Sequence, residues 1–190
     1  MPNERPGPGR YDGGHAWEYL LQTWRDLDVP EGWRAEVYGG RITLSPPPDR
    51  HRNGIVARVQ RALYSLLPPE WEVYRALGVH IAPLGELYVP DVLVAPRELV
   101  EDVAADPSDP IDAAEALLIV EVTSRTNADD ARTRKLWAYG HAPVPVHLLI
   151  DGFDRHGPTS TLFTRPDKGA YRHADRVASG GKRSFPNRSG

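Results

Sequence analysis

Apolar and polar positions change period several times along the chain, and each change marks an element. In HAWEYLLQTWRDL, residues 15 to 27, Trp17, Leu20, Leu21, Trp24 and Leu27 recur at spacings of three and four, which predicts an amphipathic helix. WRAEVYGGRITLSPPP then alternates around Gly39 and Gly40, the pattern of a hairpin, and the proline run stops it. Asp49 is suited to cap a helix from about residue 50 to 67, with Ile55, Val59, Leu63 and Leu66 as its apolar stripe. EWEVYRALGVHIAP and GELYVPDVLVAP read as strands, the second apolar on both faces and therefore central in a sheet. Segment 97 to 115 reads as an acidic loop holding at most a helical turn. A strand at 116 to 123, a helix from about 127 to 141, a strand around VPVHLLID and a short hairpin from TSTLFTRP and GAYRHA complete the chain. There is no internal repeat.

This order predicts an α/β protein of the α+β kind, a central mixed β-sheet flanked by helices, rather than the regular alternation of a doubly wound dinucleotide binder. No GxGxxG occurs, and GGKRS near the end lacks the spacing of a phosphate loop. A chain of 190 residues suits one domain with a core of its own, expected over 15–175. The flanks, 1–14 and 176–190, are rich in Gly, Pro, Ser and charge and are expected to be disordered.

Composition narrows the chemistry. There are no cysteines, which excludes disulfides and thiolate metal sites and makes a reducing cytoplasm the simplest setting. The seven histidines form no close zinc pair. No apolar run approaches the roughly 20 residues of a membrane helix, so no membrane partner is expected. The net charge of −3 is unevenly spread: residues 97 to 115 hold seven acids against Arg97, whereas the stretch from Arg165 onward holds seven basic and two acidic side chains. A polyanion would meet a mildly basic face, without the strong basicity of many nucleic-acid binders.

The candidate chemistry lies in charges set among apolar residues. Alternation along LLIVEVTS groups Leu117, Ile119, Glu121 and Thr123 on one face, and the same rule in ELYVPDVLVAP groups Leu87, Val89, Asp91 and Leu93. Burying an isolated carboxylate costs several kcal/mol unless a cation, a metal or several hydrogen bonds meet it. Pro90 adds a distortion beside Asp91, since proline cannot donate to a ladder. On the following helix Ala128, Ala131, Lys135, Ala138, Tyr139 and Ala142 share a stripe, so small residues surround one lysine able to reach Glu121, with Arg132 and Arg134 off the stripe. Glu36 on the first strand either closes the site or is solvated. His51, in the first turn of its helix and in line with Ile55 and Val59, either faces the site or serves as a capping or core histidine. A structural ion pair remains the alternative for Glu121, and snorkelling for Lys135.

Taken in order, EVYGGRITLSPPPDRH, VPDVLV, LLIVEVTS and RKLWAYG followed by VPVHLLID resemble the Uma-two family of restriction-endonuclease-like proteins, of the PD-(D/E)XK nuclease fold, over about residues 17 to 152. The resemblance implies a restriction-endonuclease-like core and a metal-dependent phosphodiesterase. Asp91 matches the Asp of the PD element and Glu121 the acid of the second. The lysine usually found two residues after that acid is Thr123 here, and Lys135 matches a lysine moved to the next helix. Where the family tends to show an Asp-Arg pair shortly before that lysine, this chain departs and reads DDARTRK. Glu36 and His51 match the family's early Glu and His. Asp91, Glu121 and the Val122 carbonyl are expected to hold Mg²⁺ or Mn²⁺, with Glu36 as a further contact, and Lys135, its pKa lowered by burial, to orient a water, deprotonate it, or balance charge on the phosphorus. DNA is the expected substrate, with Arg50, Arg52, Arg58, Arg61, Arg132 and Arg134 as phosphate contacts, and cutting both strands implies a homodimer. Two alternatives stay open: a catalytically inactive nuclease-fold protein that binds nucleic acid or regulates, and a buried ion network in a protein that works through partners.

Overall fold

A computed structural model describes residues 13–101, 106, 109–125 and 127–178 of the chain. Most of both flanks expected to be loose lies outside the described residues. The first helix, α1 (Gly13–Arg25), lays Trp17, Leu20, Leu21 and Trp24 against Val37, Leu87 and Val89. Strands β1 (Arg34–Tyr38) and β2 (Arg41–Ser45) form the expected hairpin, turning through Gly39 and Gly40 at φ 58° and 72°. Two consecutive left-handed residues are what a tight hairpin turn of the right twist requires. Helix α2 (Arg50–Tyr64) starts at Asp49, whose carboxylate accepts from the Arg52 N–H at 2.8 Å. It ends three residues earlier than the periodicity suggests, because Pro68 and Pro69 disfavour helix just before them and Leu66 is left exposed.

Both long strand-like stretches are divided. The first becomes β3 (Trp71–Tyr74) and β4 (Val79–Ile81), parted by a bend in which Ala76 sits at φ 56°. The second becomes β5 (Glu86–Tyr88) and β6 (Val92–Pro96), parted at Pro90 and Asp91, where proline has no N–H to continue the ladder. After α3 (Arg97–Val100), β7 (Ile111–Asp112) and a 3₁₀ turn at Ala113–Glu115 comes β8 (Leu118–Val122). Helix α4 follows in three segments, Ala128–Asp130, a wider π turn at Ala131–Lys135, and Leu136–His141. Strands β9 (Val146–Asp151), β10 (Thr159–Asp167) and β11 (Ala170–Ala178) complete the fold.

The predicted mixed α/β class holds, but the strands form two sheets rather than one. The central sheet has six strands in the order β11-β10-β9-β8-β6-β3, with β8 and β9 parallel and the other pairs antiparallel. The second sheet has the order β2-β1-β5-β4-β7. Each divided stretch sends its halves to different sheets, so the breaks at residues 75–78 and 90–91 are what create the second one.

Side-chain alternation in β6 and β8 gives the central sheet two apolar faces. Val92, Val94, Val120 and Val122 pack with Val56 of α2. Leu93, Ala95 and Ile119 pack with Ala138 and Tyr139 of α4 and with Val79, Ile81 and Tyr88 of the second sheet. Close approach on that side depends on Gly140, where an added Cβ would stand 2.8 Å from the Gly169 carbonyl carbon.

Candidate active site

The bend at Pro90 and Asp91 joins the two sheets, and the buried charges gather there. The β6–β8 register pairs Val92 with Val120, so Asp91 and Glu121 stand one step further along their two strands. Both are fully buried. The sequence therefore sets two carboxylates side by side on adjacent strands, where like charges repel unless cations compensate them.

Helix α4 supplies one compensating cation. Every member of its predicted stripe is buried, Ala128, Ala131, Lys135, Ala138, Tyr139 and Ala142 alike. The Lys135 ammonium donates to Glu36 Oε1 at 2.7 Å and to Glu121 Oε1 at 3.0 Å. Tyr139, one turn on, donates its hydroxyl to the same Glu121 oxygen at 2.7 Å. The π turn that carries Lys135 widens the helix locally, a distortion often found at functional sites. Glu36 belongs to this group: it is buried, and its Oε1 also accepts from the Val89 N–H at 2.9 Å.

Two arginines compensate Asp91. Arg34 Nη1 donates to Oδ1 at 2.9 Å, and the Arg52 fork donates to Oδ2 through Nε at 3.1 Å and Nη2 at 2.8 Å. The Val122 N–H adds a fourth bond, to Oδ2 at 2.8 Å. Val122, expected to contribute its carbonyl, thus meets Asp91 through its amide. His51 does not join the group; its side chain is exposed, and the residue that α2 turns inward is its neighbour Arg52. Arg50, Arg58 and Arg61 are exposed on α2, whereas Arg132 is tied to Asp151 and Arg134 pairs with Asp130 and lies over the Tyr38 ring.

Glu36, Asp91 and Glu121 thus face Arg34, Arg52 and Lys135, a formally neutral cluster. Burial pushes the Asp91 carboxyl up, but Arg52 and Arg34 outweigh it and hold it below the usual carboxylate range. Burial likewise pushes Glu121 up, and there the neighbouring Asp91 and Glu36 charges help burial win over Lys135. The expectation that burial depresses Lys135 is corrected: burial does favour the neutral amine, yet Glu121 and Glu36 together hold the ammonium well above its ordinary value. With no metal present, Lys135 is thus held as the ammonium.

The donor set fits a hard divalent ion in one respect that is visible directly. Among the described residues, Glu121 Oε2 is buried and has no hydrogen-bond partner, an arrangement that is costly for the carboxylate unless a proton or a metal cation meets it. Two carboxylates with water and substrate oxygens suffice for Mg²⁺, which does not need an all-protein cage. No group of three or more His, Cys, Asp or Glu side chains converges as a metal cage among the described residues. Asp91, by contrast, has its oxygens engaged by this chain's own donors.

A second network lies next to the first. Thr123, at the place where the lysine of the general nuclease pattern stands, gives its hydroxyl to Asp151 Oδ1 at 3.0 Å and accepts from the Gly152 N–H. Asp151 also accepts from Arg132 Nε and Nη2 and from the Phe153 N–H. Arg34 was not expected at the site, Arg52 was expected only as a phosphate contact, and Tyr139 only as a member of the stripe around Lys135. Arg34 shares a strand face with Glu36, and Arg52 lies four residues before Val56, the buried residue of α2, so the period of each element held the signal.

A family model, Uma2, described as "Putative restriction endonuclease", matches residues 17–185. No curated protein matches the chain. Among solved structures, the chain is similar to a protein of Anabaena variabilis described as a "putative nuclease belonging to DUF820". The TM-score is 0.64 with 16% identity, covering 83% of each chain, a likeness of fold.

Proposed function

Since the chain belongs to the Uma2 family, we propose that it is a metal-dependent endonuclease that hydrolyses phosphodiester bonds in DNA, with Asp91, Glu121 and Lys135 at its centre. The observation that carries this reading is the convergence of Asp91 and Glu121 from adjacent strands with Lys135 from the helix beside them, together with the unpaired buried oxygen of Glu121.

Asp91 and Glu121 would hold a Mg²⁺ or Mn²⁺ ion, with Glu36 at the rim and Val122 beside it. When bound, such an ion supplies Lewis-acid polarisation of the scissile phosphate and a water of lowered pKa. Lys135, as an ammonium, keeps Glu36 and Glu121 in place and offsets negative charge gathering on phosphorus. Tyr139 fixes the orientation of Glu121 through the shared Oε1. The arginines exposed on α2 suit backbone phosphates, which carry no sequence information. Cutting a duplex through both strands would call for two copies of the chain.

The full burial of Asp91 and Glu121 favours a second reading, in which the six charges are an internal ion network and the protein binds without cutting. Nicking of supercoiled plasmid in Mg²⁺ or Mn²⁺ separates the two. The Glu121→Gln variant, folded by circular dichroism, should lose roughly a hundredfold or more of wild-type nicking, as expected when a group acting at the reacting centre is removed. Wild-type protein that leaves plasmid intact, or a folded Glu121→Gln that nicks normally, would defeat the nuclease reading.

A further inference from the structure

Asp91 has no exposed surface, and among the described residues the side chains that pair with it are two guanidiniums. Three donors crowd Oδ2, while an oxygen of this kind offers two lone pairs. The side chains of Arg34 and Arg52 keep 10% and 12% exposure, so they stand between the carboxylate and solvent. The cluster is neutral as it stands. A divalent ion arriving with every arginine still in place would leave an excess of two positive charges in a confined, poorly solvated volume, which is unfavourable at short range. Departure of one guanidinium relieves half of that excess and frees lone pairs on Asp91 for the ion.

We propose that Arg52 is the resting counter-ion of Asp91, occupying the cation's place until a divalent ion displaces it, after which its fork is free to take a substrate phosphate. The inference rests on the metal-dependent reading above and adds a step to it. Arg52 is better suited to leave than Arg34. Arg34 is held on a strand paired with β2 and also donates to the Val89 carbonyl at 3.3 Å. The Arg52 side chain hydrogen-bonds only to Asp91 among the described residues, and it projects from the first turn of α2 at the edge of the site. A long side chain swings clear by rotamer changes alone, with no backbone rearrangement. Its planar fork matches a phosphate as well as it matches a carboxylate. The device also keeps a strongly acidic centre compensated when no metal is present.

Calorimetric titration of the full chain with Mn²⁺, without DNA, tests this. Arg52→Ala should bind Mn²⁺ roughly tenfold more tightly than wild type, equivalent to about 1.4 kcal/mol. Loss of any neighbouring positive charge favours a cation, so Arg34→Ala, which removes the same charge from the same carboxylate, is the control: Arg52→Ala should tighten Mn²⁺ binding clearly more than Arg34→Ala, and equal tightening overturns the proposal. Equal or weaker binding by a folded Arg52→Ala overturns the proposal while leaving the metal reading intact. Should that variant fail to fold, Arg52→Lys replaces the fork with a single point charge and should tighten binding by a smaller factor, about threefold; unchanged affinity overturns the proposal there as well. If neither wild type nor variant takes up Mn²⁺, the metal reading and this inference fall together.

Discussion

Replacing Lys135 with methionine removes one charge from the cluster while nearly conserving volume, so the packing penalty is small and the electrostatic one dominates. The ammonium bridges Glu36 Oε1 and Glu121 Oε1 at 2.7 and 3.0 Å. Without it, Glu36 keeps the Val89 N–H, Glu121 keeps the Tyr139 hydroxyl, and two buried carboxylates face each other with no cation between them. Breaking a buried pair in this way costs roughly 3–5 kcal/mol. Most of that cost belongs to the ionised form, which gives the prediction a pH signature. Lys135 has a folded-state pKa above its ordinary 10.5, so in wild type its contribution is fully present at all pH values below that and is constant across the neutral range. In Lys135→Met the carboxylates instead take up a proton as pH falls, Glu121 first because burial already raises its pKa. Each proton gained recovers up to about 1.4 kcal/mol per pH unit. Urea unfolding followed by circular dichroism should therefore show a deficit of several kcal/mol near pH 8 that is clearly smaller near pH 5. A deficit under about 1 kcal/mol, or one equal at both pH values, would show that Lys135 does not balance these acids and would refute the reasoning.

Other outcomes follow from the same structure. His147 is fully buried among the rings of Tyr139, Phe163 and Tyr171, and burial lowers its pKa from 6.5 to about 3. The unfolded chain therefore binds a proton that the folded one refuses, and stability is lost as pH falls from the unfolded value toward the folded one; between about pH 7 and pH 5 the loss is about 2 kcal/mol. His147→Phe should flatten the stability profile over that window by this amount in paired urea titrations, and parallel profiles would contradict it. Gly140→Ala gains helix propensity of about 1 kcal/mol yet drives a methyl to within 2.8 Å of the Gly169 backbone, so the variant should melt below wild type by the equivalent of roughly 1–3 kcal/mol. An unchanged or raised melting temperature would show that the hairpin does not seat on α4 as described.

How far the sequence could be read depended on whether the deciding interaction was local. Helix α2 was legible at its start because Asp49 caps it within one turn, and the stripe from Ala128 to Ala142 was legible because one helix face contains it all. The division of GELYVPDVLVAP into strands of different sheets was only half visible: Pro90 marks a break, but which sheet each half joins depends on partners far along the chain. The same distinction governs the site. Asp91, Glu121 and Lys135 announce themselves by sitting on apolar faces. Arg34 and Arg52 look like ordinary surface arginines in HRN and WRA, and only the tertiary approach of β1 and α2 to the Pro90 bend gives them a buried partner. Lys135 shows the limit of reasoning from burial alone, since desolvation predicts a depressed pKa and two carboxylates reverse the sign. His51 shows where a stripe stops being informative: Ile55, Val59 and Leu63 pack against the core as expected, but in the first turn of α2 the side chain that reaches inward is Arg52.

The central claim is that Asp91 and Glu121 form one cation site. Diffraction from crystals soaked in Mn²⁺, recorded for anomalous scattering, tests it most directly. A single strong peak is expected in contact with a carboxylate oxygen of Asp91 and with Glu121 Oε2, accompanied by a turned-out Arg52 side chain. A Mn²⁺ peak elsewhere on the molecule, with Arg34 and Arg52 still bound to Asp91, would contradict it.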